Sequence, residues 1–258
     1  MYDTIVIGCG IIGAATAFEL SRHEGSVLVL EKENDIATGA TRANSAIIHA
    51  GYDPAPGTKM AALNVRGAAL AKELCQALSV PYAQIGSLVL AFSEEELAMV
   101  QELYERGVQN GVPGLRVLSA AETCEMEPNV SQEVRGALYA PSAGIVNPWE
   151  YALALAETAV LNGVELRRSC PVVSVEKTAK GWAVGTAQGT FETRTVINAA
   201  GVESEEIHDM ALPHVFHILP SRGEYYLMDK SEGSRANHVL FQCPSALGKG
   251  VLVSPTVH

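Results

Sequence analysis

Apolar positions along this chain fall into two recurring patterns. Short β-branched runs alternate with stretches in which apolar residues recur every three or four positions, the signature of strands and helices in turn. Residues 4–7 (TIVI) form a run that predicts a strand buried on both faces. A helix is predicted from about 11 to 22, on Ala14, Ala15, Ala17, Phe18 and Leu20, and a second strand over 27–30. The spacing predicts a helix over 59–78, strands within 80–92 with a turn at Gly86, and a helix opened by Ser93 and Glu96 that stops near Gly111. A short helix capped by Ser119 and stopped at Pro128, and a strand over 134–140, follow. Asn147 as cap and Pro148 at the first helical position open another helix, ended by Gly163. Strands are predicted near 164–167, 171–176, 181–186 and 190–192, then a buried strand over 195–201 (TVINAAG) and a strand-like stretch ending in YYLMD.

The order predicts an α/β fold in which two domains interleave. One, which the strand, the glycine turn G-x-G-x-x-G over 8–13 and the helix mark as a Rossmann-like dinucleotide-binding domain, takes 1–78 and 141–210. A mainly antiparallel α+β domain takes 79–140 and 211–258. The strongest local signal is Gly8, Gly10 and Gly13 between the first strand and the first helix. Gly8 permits the turn, Gly10 lets backbone approach a pyrophosphate, and Gly13 lets helix and strand pack closely. The helix N-terminus offers N–H groups and the positive end of its dipole to phosphate. Glu31, ending the second strand, stands where an acid hydrogen-bonds a ribose diol.

Composition narrows the function. Of 258 residues, 48% are hydrophobic and 18% charged, which is globular, and the net charge of −11 argues against a broad nucleic-acid surface while leaving room for a small anionic ligand. The five cysteines are scattered without a CxxC pair, as expected of free thiols in a reducing cytosol rather than of a disulfide or metal framework. No apolar run is long enough to span a bilayer and the N-terminus has no basic leader, so a cytoplasmic protein with at most peripheral membrane association is expected.

The stretches GCGIIGAATAFELS, TRANSAIIHAGYDPAPGTKMA, GIVNPWEYALALAE, TVINAAG and SRGEYYLMD together resemble the D-amino-acid-oxidase-like superfamily of FAD-dependent oxidoreductases. Within it, the resemblance is to the bacterial glycerol-3-phosphate dehydrogenase and L-2-hydroxyglutarate oxidase branch. It implies FAD as cofactor and hydride transfer from a small anionic secondary alcohol, sn-glycerol 3-phosphate before others. A 2-hydroxy acid, an amine or amino acid, and a nucleotide-binding fragment without activity are the alternatives. No feature of the sequence identifies the electron acceptor.

The resemblance also implies residue roles. Ile11, Ile12, Lys32, Thr41, Asn44, Ser45, Val173, Ala199, Ala200 and Gly201 join the glycines and Glu31 as cofactor contacts. His49, in NS-x-x-x-H-x-G, is the candidate to accept the proton, and Arg222 the candidate to hold the anion. Tyr52 and Tyr225 are expected at the substrate, with Lys59 and Lys249 as weaker candidates. Each has a plainer reading: turn capping for Asn44 and Ser45, packing for His49 and Tyr52, an ion pair with Glu224 for Arg222. The other histidines are expected to be surface or structural, and no metal site is expected. Relatives in this superfamily continue beyond GVLVSPTVH, so the chain reads as C-terminally truncated.

Overall fold

A computed structural model of the chain describes residues 1–244 and 250–257; Lys249 and His258 lie outside the described residues. The first elements in chain order are β1 (Tyr2–Ile7), α1 (Ile11–Leu20), β2 (Val27–Leu30), β3 (Ile47–Ile48), α2 (Lys59–Ala77), β4 (Tyr82–Ala83) and β5 (Ser87–Ala91). Then come α3 (Glu94–Gln109), β6 (Arg116–Ser119), α4 (Ala120–Met126), β7 (Gly136–Ala140), β8 (Gly144–Val146) and α5 (Pro148–Leu161). The last are β9 (Glu165–Arg167), β10 (Val172–Thr178), β11 (Gly181–Thr186), β12 (Gly189–Asn198), α6 (Ser204–Asp209), β13 (Val239–Gln242) and β14 (Leu252–Val253).

Two compact units result, each made from two chain segments. The first comprises Met1–Asn44 and Pro148–Glu224, the second Ser45–Asn147 and Tyr225–His258. The units divide at 44, 147 and 224, where the sequence reading sets domain limits at 78, 140 and 210. The largest difference is α2, which packs against β3 and β4 and so belongs to the second unit. Its helical periodicity says that one face is buried, not which sheet buries it.

The first unit is a six-stranded sheet in the order β10-β11-β12-β1-β2-β9. β12, β1, β2 and β9 run parallel, and β10, β11 and β12 form an antiparallel meander. α1 packs against α5, and the residues buried on the two helices are mostly small: Gly13, Ala14 and Ala17 on one, Ala152, Ala156 and Ala159 with Leu155 on the other. Residues 189–198 are one long strand rather than the two short ones expected. Its outer half pairs in the meander and its inner half joins β1, and only Thr193 along it is fully buried.

The second unit holds a five-stranded sheet, β14-β13-β5-β7-β6, antiparallel except for the parallel β13–β5 pair. β5 is buried along its whole length, and α3 covers the sheet with Val100 and Leu103. Capping is locally encoded: Ser119 and Glu122 satisfy each other's backbone N–H at the start of α4. At α3 the Ser93 hydroxyl accepts from Glu96 N, while the Glu96 carboxylate reaches back to Phe92 N. A small sheet, β3-β8-β4, sets Ile47 opposite Ile145.

The stretch ending in YYLMD is not a strand. Residues 213–229 carry no regular secondary structure, and 219–231 are exposed throughout. Its residues have strand propensity, but no neighbouring strand among the described residues pairs with them, and propensity without a ladder does not make a strand.

Candidate functional site

Four segments of the first unit converge on the N-terminus of α1. Gly8 has φ +96°, and a Cβ there would stand 2.5 Å from the carbonyl oxygen of Ala199. A Cβ on Gly13 would lie 1.9 Å from Gly8 O, so only glycine allows this turn and helix to touch. Ala199 N donates to Ile7 O (2.9 Å), which seats the end of β12 beside the loop, and Gly201 turns the chain away at φ +61°. Thr41, 8% exposed, takes the Ile11 N–H on its hydroxyl at 3.0 Å, tying the segment after β2 to the first turn of the helix. The N-cap, Gly10, has no side chain of its own to cap the helix, so apart from the Ile11 N–H taken by Thr41 this end is open to a ligand.

Glu31 is the chemical centre of the cluster. It is 7% exposed, and its two carboxylate oxygens accept Cys9 N at 2.8 Å and Glu33 N at 2.9 Å. A carboxylate offers about four lone-pair positions, so two backbone donors hold it in place and leave acceptor capacity for a ligand's hydroxyls. Burial, reinforced by the Glu31 charge, pushes the Cys9 thiol up to about 12. Glu31 O accepts Cys170 N (2.9 Å) and Glu33 O accepts Ser169 N (2.7 Å), so the start of the meander lies along the same segment. Val173 follows three residues on, 61% exposed. Lys32 forms an ion pair with Glu203, just after Gly201. Ile12 is exposed on the open side of α1.

Asn44 closes the 40–44 turn, its side-chain amide donating to Ala40 O (3.0 Å) and Thr41 O (2.6 Å). The preceding loop forms an open cavity of about 390 Å³ with Asp35, Thr38, Arg42 and Trp149 on its walls. No sequence motif marked that cavity, because Trp149 joins it from more than a hundred residues away.

In the second unit Ser45 is partly buried, and His49 follows β3 directly, half-buried, its ring stacked on Phe241 at 5.7 Å and 27°. β3 is held by β8 and by Val146 N donating to Ala46 O (3.0 Å), so the imidazole is carried on paired backbone. Tyr52 lies in the core, 6% exposed, among Ala50, Val89 and Leu103. Burial raises its hydroxyl to about 12, against a hydrogen bond with Ser87 that lowers it. The structure therefore places Tyr52 as a packing residue. Lys59 is exposed at the start of α2, and Tyr225 is 57% exposed. Arg222, which belongs to the first unit, is exposed and pairs with Glu224 at 2.9 Å.

Sequence reasoning missed the Cys9 N–H that orients Glu31, because backbone donors leave no residue signature. It also missed a group of imidazoles and carboxylates around α6, whose members are separated by a turn with no periodic pattern.

The chain is similar to several known proteins. A family model described as "DAO: FAD dependent oxidoreductase" matches residues 3–258. A glycerol 3-phosphate dehydrogenase of Caloramator mitchellensis is 49% identical over 258 residues, 100% of this chain and 54% of that protein. An L-2-hydroxyglutarate dehydrogenase of Salmonella houtenae is 34% identical, over 95% of this chain and 58% of the relative. Among solved structures, a dithionite-reduced L-alpha-glycerophosphate oxidase from Mycoplasma pneumoniae with FAD bound superposes with a TM-score of 0.86. It is 29% identical, over 99% of this chain and 68% of that one. The chain thus spans about half to two thirds of the length of these relatives.

Proposed function

Because the chain belongs to the DAO family of FAD-dependent oxidoreductases, we propose that it binds FAD and serves the oxidation of a small anionic secondary alcohol, glycerol 3-phosphate first. The observation that carries the reading is the buried Glu31 carboxylate, held by Cys9 N–H beside a turn in which no Cβ fits on Gly8 or Gly13. That cradle suits the adenosine and diphosphate end of a dinucleotide. Glu31 takes the ribose hydroxyls, and the 8–13 loop with the start of α1 takes the diphosphate. Asn44 and Thr41 fix the loop that flanks it.

When bound, FAD supplies the hydride acceptor. This chain's residues supply the rest: binding, orientation and proton movement. His49, stacked on Phe241 and carried by β3, is assigned the proton released as the alcohol becomes a ketone. Arg222 is assigned the anion. Its present partner Glu224 is an exposed side chain two residues away, and an exposed pair of this kind is readily exchanged for a bidentate anion. The substrate class follows the 49% identical glycerol 3-phosphate dehydrogenase. A dicarboxylate, L-2-hydroxyglutarate, is the second reading, supported by the 34% identical dehydrogenase of that substrate.

The test is a titration of the purified chain with FAD followed by flavin fluorescence, then anaerobic reduction of the complex. Saturable FAD binding and bleaching by glycerol 3-phosphate are expected. Bleaching by 2-hydroxyglutarate alone moves the assignment to the second reading, and a chain that takes up no FAD overturns both. His49→Ala is expected to slow bleaching without weakening FAD binding, and an unchanged rate removes His49 from the proton step.

A further inference from the structure

The group around α6 uses none of the residues assigned to the dinucleotide cradle. Among the described residues it is the one place where three His, Cys, Asp or Glu side chains bring ligand atoms together. Glu205 and Asp209 stand four apart on α6, so they share a face. The chain turns after the helix and returns with His214 and His217 against that face. Asp209 Oδ2 lies 2.8 Å from His214 Nδ1, and Glu205 Oε1 lies 3.8 Å from the same nitrogen. The ligand atoms of Glu205, Asp209 and His214 all fall within 4.8 Å of one another. A tetrahedral zinc ion with bonds of about 2.0–2.1 Å holds its ligand atoms roughly 3.3 Å apart, and the observed separations straddle that value.

The surroundings are arranged as the outer shell of such a site is. His208 Nδ1 lies 3.0 Å from Asp209 Oδ1, the oxygen not facing His214, and its ring packs edge-on against Phe216. Ile218 N donates to Glu205 Oε2 at 2.6 Å, while His217 Nδ1 lies 2.8 Å from Glu205 Oε1.

We propose that Glu205, Asp209 and His214 bind one divalent first-row transition ion, Zn²⁺ by the character of the donors, which fastens residues 210–218 to α6. One imidazole with two carboxylates suits zinc and its neighbours in the series. Magnesium and calcium prefer all-oxygen shells.

The proposal is independent of the flavin reading, and its test uses no enzymatic readout. The purified full chain is titrated with Zn²⁺ by calorimetry and with Co²⁺ by visible absorption, whose intensity reports four-coordinate geometry. One equivalent is expected to bind. His214→Ala and the isosteric Asp209→Asn are each expected to weaken binding at least ~10-fold, while His23→Ala, on an exposed histidine elsewhere, leaves it unchanged. No saturable uptake of one ion overturns the site. So does uptake that both His214→Ala and Asp209→Asn leave intact.

Discussion

Replacing Glu31 by glutamine separates what this side chain does for the fold from what it does for a ligand. The carboxylate, 7% exposed, receives Cys9 N on one oxygen and Glu33 N on the other. An amide of the same shape has one acceptor oxygen, and its NH₂ group meets the second N–H donor to donor. A buried donor left without a partner costs about 1–3 kcal/mol, so Glu31→Gln should lower the unfolding free energy of the first unit by roughly 2 kcal/mol. The ligand loses a charged acceptor for its ribose, worth about 1.5–3 kcal/mol, or roughly 10- to 150-fold in Kd. Both tryptophans, Trp149 and Trp182, lie in the first unit, so urea unfolding followed by their fluorescence reports that unit. The midpoint should fall with the slope unchanged. FAD affinity is then measured well below the midpoint, where the variant is folded. A variant as stable as the parent refutes the hydrogen-bond argument, and one that binds FAD as tightly refutes the ribose assignment; neither result implies the other.

Gly13→Ala must displace Gly8 O, which stands 1.9 Å from the added methyl, so FAD titration should show affinity lowered more than ~10-fold and urea unfolding a loss of about 2 kcal/mol; normal binding would show that the helix is not packed on the turn. Glu127, 1% exposed in the second unit, accepts Asn237 N and His238 N and lies 2.7 Å from His238 Nδ1. Glu127→Ala strands these donors and should cost about 3–5 kcal/mol, seen by circular dichroism as a lowered Tm, and a shift within a degree would refute the count. Stability should also fall with alkali. The Cys9 thiol at about 12 binds its proton in the folded chain above pH 9, where the unfolded chain has released it, so this contribution is complete below pH 9 and is lost as pH rises toward 12. The slope from Cys9 is up to ~1.4 kcal/mol per pH unit, Cys9→Ala should flatten it, and equal slopes in parent and variant would refute the assignment.

The parts of the molecule that are legible in the sequence are those whose causes are local. β1, the glycine turn, α1 and β2 follow from a β-branched run, three glycines at fixed spacing and small residues on one helix face, all within thirty residues. The starts of α3 and α4 follow from Ser93 with Glu96 and Ser119 with Glu122, because a cap is made by neighbours. β3 and β8 have two and three residues, too few for a period to show, and exist because Ile47 finds Ile145 across the chain. Residues 219–228 fail in the opposite direction. Leu219, Tyr225, Tyr226, Leu227 and Met228 have the propensity of a strand yet are 57–90% exposed. The same logic separates the candidate residues. Glu31 and the glycines make their contacts with backbone close to their own segment, so residue type and spacing are enough to mark them. Arg222 and His49 act through whatever the fold brings to them. For His49 that is a stacked ring on paired backbone, an arrangement that sets an imidazole's direction. For Arg222 it is a single exposed carboxylate, so the cost of leaving that partner is small, and the affinity of a bound anion for this chain should depend on ionic strength more steeply than the affinity of FAD for the Glu31 cradle, which is buried and screened less.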